Sequence, residues 1–372
     1  MTRIRRLEVY EVKLKLEEPF TISSGTSTYS HNVVVKFVDE DGRTGWGEGS
    51  PSYRVSRETV GSNIEAIKSV AGKIIGLDIL KLERLREILA KIEGNPSAKT
   101  ALETAFLDLM GKELQKPIYR FMGGYRDSIV TDFTISIRSP EEMAKNALKA
   151  VEKGFKILKI KLGVSPEEDV ERIKRIREAV GPDVKIRVDA NQGWKFDDAV
   201  YVLNKIADYD VELCEQPLEA GDLKGHARLR KESPIPIMLD ESVHGVVEAV
   251  KAIEMEAVDF INIKLMKTKG VSEAVTLAHL AESYGIPCMV GCMGESRIGI
   301  SMGVHFAQAI KNVMLVDLDA DLLQAEFLVE KGGASIAPGG IRRVPEVPGL
   351  GVEKVDETKL IRRFTVGGGV EL

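Results

Sequence analysis

Between residues 128 and 319 the chain repeats one unit, a short apolar run leading into an amphipathic stretch of helical period. The runs span 128–136, 157–163, 185–191, 211–217, 236–242, 260–267, 287–293 and 313–319, and all but the last are followed by a helical segment. A connection long enough to hold a helix brings the next strand in parallel to the one before, so the repeat specifies a parallel sheet with crossover helices. Eight such units favour an α/β barrel over a doubly wound open sheet.

The flanks have a different rhythm. Residues 1–125 read as an α+β unit: alternating strands at 3–16 and 32–38, an acidic turn at 39–42, and Gly45–Glu48 as the arm that completes the hairpin. Helical periods follow around 58–75, 79–92 and 97–114. Two polar, Gly/Ser-rich stretches, 18–31 and 49–57, read as loops. Residues 126–320 hold the barrel, and the Gly/Pro-rich tail 321–372 is expected to return to the N-terminal unit. Glycine clusters at 45–49, 332–340 and 367–369 lack a strand–GxGxxG–helix context and read as turns and chain ends.

Composition narrows the partners. Lys and Arg total 52 against 57 Asp and Glu, a formal charge of −5, so no basic excess exists for nucleic acid. No apolar run approaches the ~18–20 residues that span a bilayer. The first sixteen residues alternate instead of forming a signal-peptide core. Cys214, Cys288 and Cys292 are odd in number and not in CxxC spacing, which argues against a disulfide framework or a structural zinc. The expectation is a cytoplasmic globular protein with a small-molecule substrate, and neither nucleic acid nor membrane as partner.

Charged residues close the successive runs in phase. Lys159 and Lys161 end the second, Asp189 the third, Glu215 the fourth, Asp240 the fifth and Lys264 the sixth; from Lys161 the steps are 28, 26, 25 and 24 residues, one βα unit each. The C-terminal ends of barrel strands form the functional face, and charges among buried runs need partners or a task. Strands two and six of eight stand on opposite sides of the mouth, so Lys161 and Lys264 should face each other with three carboxylates between them. Converging oxygen donors without His or Cys favour Mg²⁺ over zinc. Asn191, two residues after Asp189, would support that shell. A divalent ion between two opposed amines suits removal of a proton beside a carboxylate from one face and its return to the other. The positive charge of Lys159 should help Lys161 act as a base.

As a set, Lys159–Ile160–Lys161, Val188–Asp189–Ala190–Asn191, Glu215–Gln216–Pro217, Asp240–Glu241–Ser242 and Asn262–Ile263–Lys264 resemble the enolase superfamily, whose sites pair a Lys or His base with Mg²⁺. The resemblance covers essentially the whole chain. It implies a modified (β/α)₇β TIM-type barrel with an α+β capping domain. The Lys-X-Lys of the second run, with a lysine on the sixth, is similar to the muconate-lactonizing subgroup, and Asp317–Leu318–Asp319 and Gly291–Cys292–Met293–Gly294–Glu295–Ser296 look like its dipeptide epimerases. Two carboxylates on one face of the eighth run suit an ammonium group, such as a dipeptide's N-terminus. The resemblance implies Lys161 and Lys264 as catalytic, Asp189, Glu215 and Asp240 as metal ligands, and Thr134, Lys159, Cys292, Asp317 and Asp319 at the substrate. It also implies a homo-oligomer.

The expected activity is therefore Mg²⁺-dependent epimerisation of the C-terminal residue of an L,L-dipeptide through an enediolate. The alternatives are an N-acylamino acid racemase, an o-succinylbenzoate synthase or a cycloisomerase, and, in a different class, a barrel that binds without turnover. Family members that prefer Ala–Glu carry a capping-loop arginine where this chain has Gly25. Residues 23–29 and Tyr53 then suit a neutral or apolar second residue, unless Arg54 or Arg57 supplies the cation. Of the remaining residues, His279, His305, Met293 and Met302 read as packing, His31 lies in a capping loop, and Glu295 either pairs with Arg297 or faces the substrate.

Overall fold

Residues 2–368 are described in the computed structural model. Eight parallel strands lie side by side in chain order: Phe133–Ile135, Ile157–Lys161, Lys185–Asp189, Val211–Glu215, Ile237–Leu239, Phe260–Lys264, Cys288–Gly291 and Val313–Asp317. The first and last form no ladder, yet Asp132 N–H donates to the Val316 carbonyl at 3.2 Å and Leu318 N–H to Thr131 Oγ1 at 2.8 Å. The sheet thus curls to near closure. Seven helices fill the crossovers, from Pro140–Glu152 to Arg297–Ala309. Their starts are written locally. Ser139 and Glu142 form a reciprocal capping box ahead of Pro140, and Pro166 opens a helix whose first turn holds Glu167, Glu168 and Asp169.

The barrel interior follows the two-residue period of its strands. Leu213, Met238 and Met289 are fully buried and pack with Phe260 and Leu315. Each lies two positions before a residue of the mouth (Glu215, Asp240, Gly291, Asn262, Asp317), so an apolar layer lies one layer below the charged one. On the same level Arg187 is buried against Asp132 at 2.9 Å and Glu212 at 2.6 Å.

The N-terminal unit is a four-stranded antiparallel sheet, with Ile4–Ile22 between Gly25–Asp39 and the returning tail strand Ile361–Gly367, and Thr44–Gly49 on the far edge. Three sequence expectations change here. The stretch 18–31 is not a loop but the extended arm of the hairpin, paired as Phe20 with Ser27, Thr21 with Thr26 and Ile22 with Gly25; its polar, Gly/Ser-rich composition hides a ladder whose faces are partly solvated. Residues 128–136 do not form one strand, since Ile129–Val130 pairs instead with Ile341–Arg342 of the tail. The glycine cluster at 45–49 is not a turn, since it lies in strand Thr44–Gly49, the arm expected at Gly45–Glu48. Gly369, the last of the third cluster, lies outside the described residues.

Two buried carboxylates fasten this unit to the barrel. Glu48 accepts from the Ser296 N–H at 2.9 Å and the Gly299 N–H at 2.8 Å, at the start of helix Arg297–Ala309. Glu103 accepts from the Val271 N–H at 2.7 Å and the Ser272 N–H at 3.1 Å, at the start of helix Val271–Ser283. Each satisfies amides that a helix start leaves unpaired and places negative charge at its positive end. The loops after barrel strands six and seven are thereby held from the capping side.

Helix Pro96–Glu113 packs so closely on strand Thr44–Gly49 that a Cβ at Gly47 would fall 2.0 Å from the Ala101 carbonyl oxygen. Backbone contacts cannot yield as a flexible side chain would. Gly47→Ala should therefore cost at least the ~1–3 kcal/mol typical of overpacking, read as a lower denaturation midpoint at unchanged slope in urea.

Candidate active site

A cavity of about 310 Å³ opens over the C-terminal ends of the barrel strands. Lys161, Lys264, Glu241, Cys292, Asp317 and Asp319 line it from the barrel, and Phe20, Ser27, Ser50 and Arg54 line it from the capping unit. Lys161 and Lys264 come from the second and sixth of eight strands and reach the same cavity. Each is fixed by a different acid: Lys161 Nζ lies 2.6 Å from Asp189 Oδ2 and 3.1 Å from Asn191 Oδ1, whereas Lys264 Nζ lies 2.7 Å from Asp240 Oδ2.

Lys159 sits deeper, 1% exposed. Its ammonium lies 2.7 Å from Asp317 Oδ2, 2.8 Å from Glu215 Oε2 and 3.1 Å from Asp189 Oδ2. Burial works against its charge, but Asp317, Glu215 and Asp189 outweigh burial and hold the ammonium protonated well above the usual lysine range. The lysine expected to act on Lys161 thus touches acids of strands three, four and eight directly. Asp240 carries a second cation that sequence reasoning missed, Lys267 at 2.9 Å, and Asn262 Nδ2 donates to Glu215 Oε1 at 2.8 Å.

The acids of this floor shift in two directions. Lysines at contact keep Asp240 well below the usual carboxylate range and Asp189 below it, both against burial, and Asp317 falls to about 2. The other acids go the opposite way: burial pushes Glu215 to about 7, Glu241 to about 8 and Asp319 to about 6, each raised further by a neighbouring carboxylate. The mouth carries more acid than its four lysines balance. Among the described residues Glu241 Oε2 has no hydrogen-bond donor, and Glu215 Oε2 and both Asp240 oxygens meet only lysine ammoniums, at 2.7–2.9 Å. Hard, buried carboxylate oxygens of Asp189, Glu215 and Asp240 on three adjacent strands, in a mouth with more acid than ammonium, fit a divalent cation such as Mg²⁺.

Among the described residues, the set of three whose ligand atoms all lie within 4.8 Å of one another is a different one, Cys292, Asp317 and Asp319. That set is the poorer cation site. Burial pushes the Cys292 thiol well up, Asp317 is neutralised by Lys159, and Asp319 Oδ2 accepts the Thr134 N–H at 2.7 Å. These four residues instead form the wall at strands one, seven and eight, with Cys292 Sγ 3.8 Å from Asp319 Oδ1.

Several minor expectations resolve as well. Glu295 does not pair with Arg297, which turns to Asp321 at 3.6 Å; Glu295 accepts the Met293 N–H at 2.6 Å. Met293 lines the cavity instead of the core, whereas Met302 is fully buried. His305 is buried in packing, but His279 is exposed. His31 lines the cavity and pairs with Glu11 at 2.7 Å. Residues 53–56 of the supposed 49–57 loop form a helical turn.

Burial pushes Glu295 to about 8, so the folded state favours its neutral form. A raised carboxyl contributes stability that is full below its unfolded value and is lost as pH rises through the folded one. Between pH ~4.5 and ~8 its contribution should therefore fall. Thermal melts of Glu295→Gln should show a flatter decline of Tm with pH over that window than the parent chain.

With this geometry established, comparison with known proteins places the chain. Residues 4–123 match the N-terminal domain of mandelate racemase / muconate lactonizing enzyme, and residues 142–358 match the enolase C-terminal domain-like family. A hydrophobic dipeptide epimerase of Enterococcus faecalis is 40% identical over 94% of this chain and 99% of its own. Its structure with Mg and L-Leu-L-Tyr aligns with a TM-score of 0.92, covering 95% of this chain and 100% of that one. The substrate-liganded L-Ala-D/L-Glu epimerase of Bacillus subtilis aligns at 0.92 with 36% identity, covering 95% and 99%. An N-succinyl-L-Arg/Lys racemase of Bacillus cereus is 36% identical over 96% of each chain. No helix among the described residues is long and apolar enough to cross a membrane. The chain belongs to the mandelate racemase / muconate lactonizing enzyme family of the enolase superfamily, within the group that holds the dipeptide epimerases, and it is an isomerase.

Proposed function

We propose that this isomerase is a Mg²⁺-dependent dipeptide epimerase that inverts the α-carbon of the C-terminal residue of an L,L-dipeptide by two-lysine proton transfer. The observation that carries the proposal is the pair Lys161 and Lys264, both buried, both lining one cavity, and held by acids of different strands. Asp189, Glu215 and Asp240 would hold the cation, which when bound supplies Lewis-acid stabilisation of the charge that develops on the substrate carboxylate. The E. faecalis relative was crystallised with Mg and a dipeptide, which supports carrying both to this chain.

The protein's own groups do the rest. Lys264 is kept protonated by Asp240 despite burial, so it is poised to deliver a proton to one face of the α-carbon. Lys161, anchored by Asp189 and Asn191, addresses the other face. Thr134, Cys292, Asp317 and Asp319 would receive the far end of the substrate, and Lys159 would fix the positions of Asp317, Glu215 and Asp189. The capping unit covers the cavity from above, with Phe20, Ser50 and Arg54 in its wall.

A second reading has its own support. Asp317 already pairs with Lys159 and Asp319 already accepts the Thr134 amide, so a substrate without an ammonium group also fits this wall. An N-acylamino acid is such a substrate, and the B. cereus relative is named for one.

Incubation in D₂O with dipeptides and N-acylated amino acids separates the two. Deuterium should enter the α-carbon of the second dipeptide residue alone, stop on chelation of divalent cations and resume with Mg²⁺; exchange confined to N-acylated substrates would select the racemase. Single-turnover exchange tests the bases. Lys161→Ala should lose exchange of one epimer by at least the ~10²-fold expected for a proton-transfer group, and Lys264→Ala that of the other, whereas equal residual exchange of both epimers would contradict two bases.

A further inference from the structure

The inference concerns what holds the carboxylate of Asp240 still, and it rests on the function just proposed. Asp240 has two tasks in that reading. It is to hold the cation, and it already meets Lys264 at 2.7 Å. A carboxylate turns about its last bond at little cost, so another group has to fix which oxygen faces which partner.

Lys267 is placed to do so. It does not line the cavity and is fully buried, where an ammonium needs an acceptor for each of its three donors. All its contacts fall on the turn after strand five. Lys267 Nζ donates to the Asp240 carbonyl at 2.5 Å and to the Val243 carbonyl at 2.7 Å, and it lies 2.9 Å from Asp240 Oδ1. Lys264 takes the other carboxylate oxygen, Oδ2. The two lysines thus divide the carboxylate, one oxygen held from the interior and the other beside Lys264.

The mount is itself held. Lys264 and Lys267 share one turn, in which the amides of Lys267 and Thr268 donate to the Lys264 carbonyl at 2.9 Å and 3.1 Å. Thr268 Oγ1 donates to the same carbonyl at 3.2 Å, and Thr100 Oγ1 of the capping unit donates to the Leu265 carbonyl at 2.6 Å. The carboxylate of Asp240 is therefore gripped from a segment that is also tied to the roof.

We infer that Lys267 is a positioning residue: by holding Asp240 Oδ1 it leaves Oδ2 as the one oxygen for the cation and keeps Lys264 from taking both. Removing it would bring two effects of opposite sign. As a positive charge beside a cation site Lys267 repels the cation, so its loss as a charge tightens Mg²⁺ binding. As a mount it orients a ligand, and partners that orient metal ligands are typically worth ~10–100-fold in metal affinity. Three contacts on one turn, with no donor left over, favour the mount.

The test is a calorimetric titration of Mg²⁺ alone into the parent chain, Lys267→Met, Lys267→Gln and Lys267→Arg, well below each melting temperature. Lys267→Met should bind Mg²⁺ ~10–100-fold more weakly than the parent chain. Lys267→Gln and Lys267→Arg, which keep hydrogen-bond donors, should fall between, and Lys267→Gln replaces Lys267→Met where the latter does not fold. At saturating Mg²⁺, single-turnover α-deuterium exchange should fall more for the epimer served by Lys264 than for that served by Lys161, a split that a general loss of stability would not produce. In metal-free crystals of the same variant, the Asp240 carboxylate should turn so that both oxygens meet Lys264. Unchanged or tighter Mg²⁺ binding, or an Asp240 carboxylate that keeps its orientation, would overturn the assignment while leaving the cation site and epimerisation intact. A parent chain that takes up no Mg²⁺ would remove the metal reading of the mouth instead, and the crystals then decide the role of Lys267.

Discussion

The constraint on which the structure turns is charge neutrality at a buried barrel mouth. A parallel barrel directs the ends of its strands at one small region, and in this chain those ends carry acids at strands three, four, five and eight. Water cannot stabilise them there, and isolated buried carboxylates would be strongly disfavoured. Lys159 resolves most of the conflict by bridging Asp317, Glu215 and Asp189 at 2.7–3.1 Å. It spans the interior from strand two to strand eight and thereby ties chemistry to barrel closure. Glu215, despite Lys159, and Glu241 and Asp319 still shift upward under burial, and that residual demand for positive charge is what suits the mouth to a divalent cation.

The capping unit answers a second constraint. Strand ends alone leave the reacting carbon in solvent, so a roof is needed, and it must stay in register with the loops beneath. Glu48 and Glu103 provide that register by capping two consecutive barrel helices from outside the barrel. Asn32 and Ser50 extend the contact to the loop after strand seven, at 2.8 Å and 3.2 Å from the Gly294 carbonyl and amide. The roof is thus tied over strands six and seven, and the hairpin arm adds ties over strands one and three, where the Thr21 amide donates to Ser136 Oγ at 2.7 Å and Ser23 Oγ donates to the Asn191 carbonyl at 2.9 Å. Among the described residues, the side-chain hydrogen bonds of the 51–57 segment stay within residues 52–58.

Much of the architecture was legible from periodicity, because strand and helix repeats are local properties of the chain. The phase of Lys161, Asp189, Glu215, Asp240 and Lys264 was legible for the same reason, since each βα unit returns the chain to the same end of the barrel. The arm at 18–31 was not, as its Ser, Thr and Gly content resembles a loop and only its partner strand reveals the ladder. The arm at 45–48 was legible, but its glycines also read as a turn because their smallness serves a helix that begins some fifty residues later.

By itself the sequence determined which residues meet the barrel mouth, since period two along a strand and one βα unit per crossover fix their level and side. It could not determine their partners. Lys159 and Asp317 are 158 positions apart, Glu48 and Gly299 are 251 apart, and Arg54 lies over Gly25 from another loop. Those contacts exist only once the sheet has curled and the roof has docked. Charge balance and close packing act through space, whereas sequence periodicity acts along the chain, and only the tertiary structure joins the two.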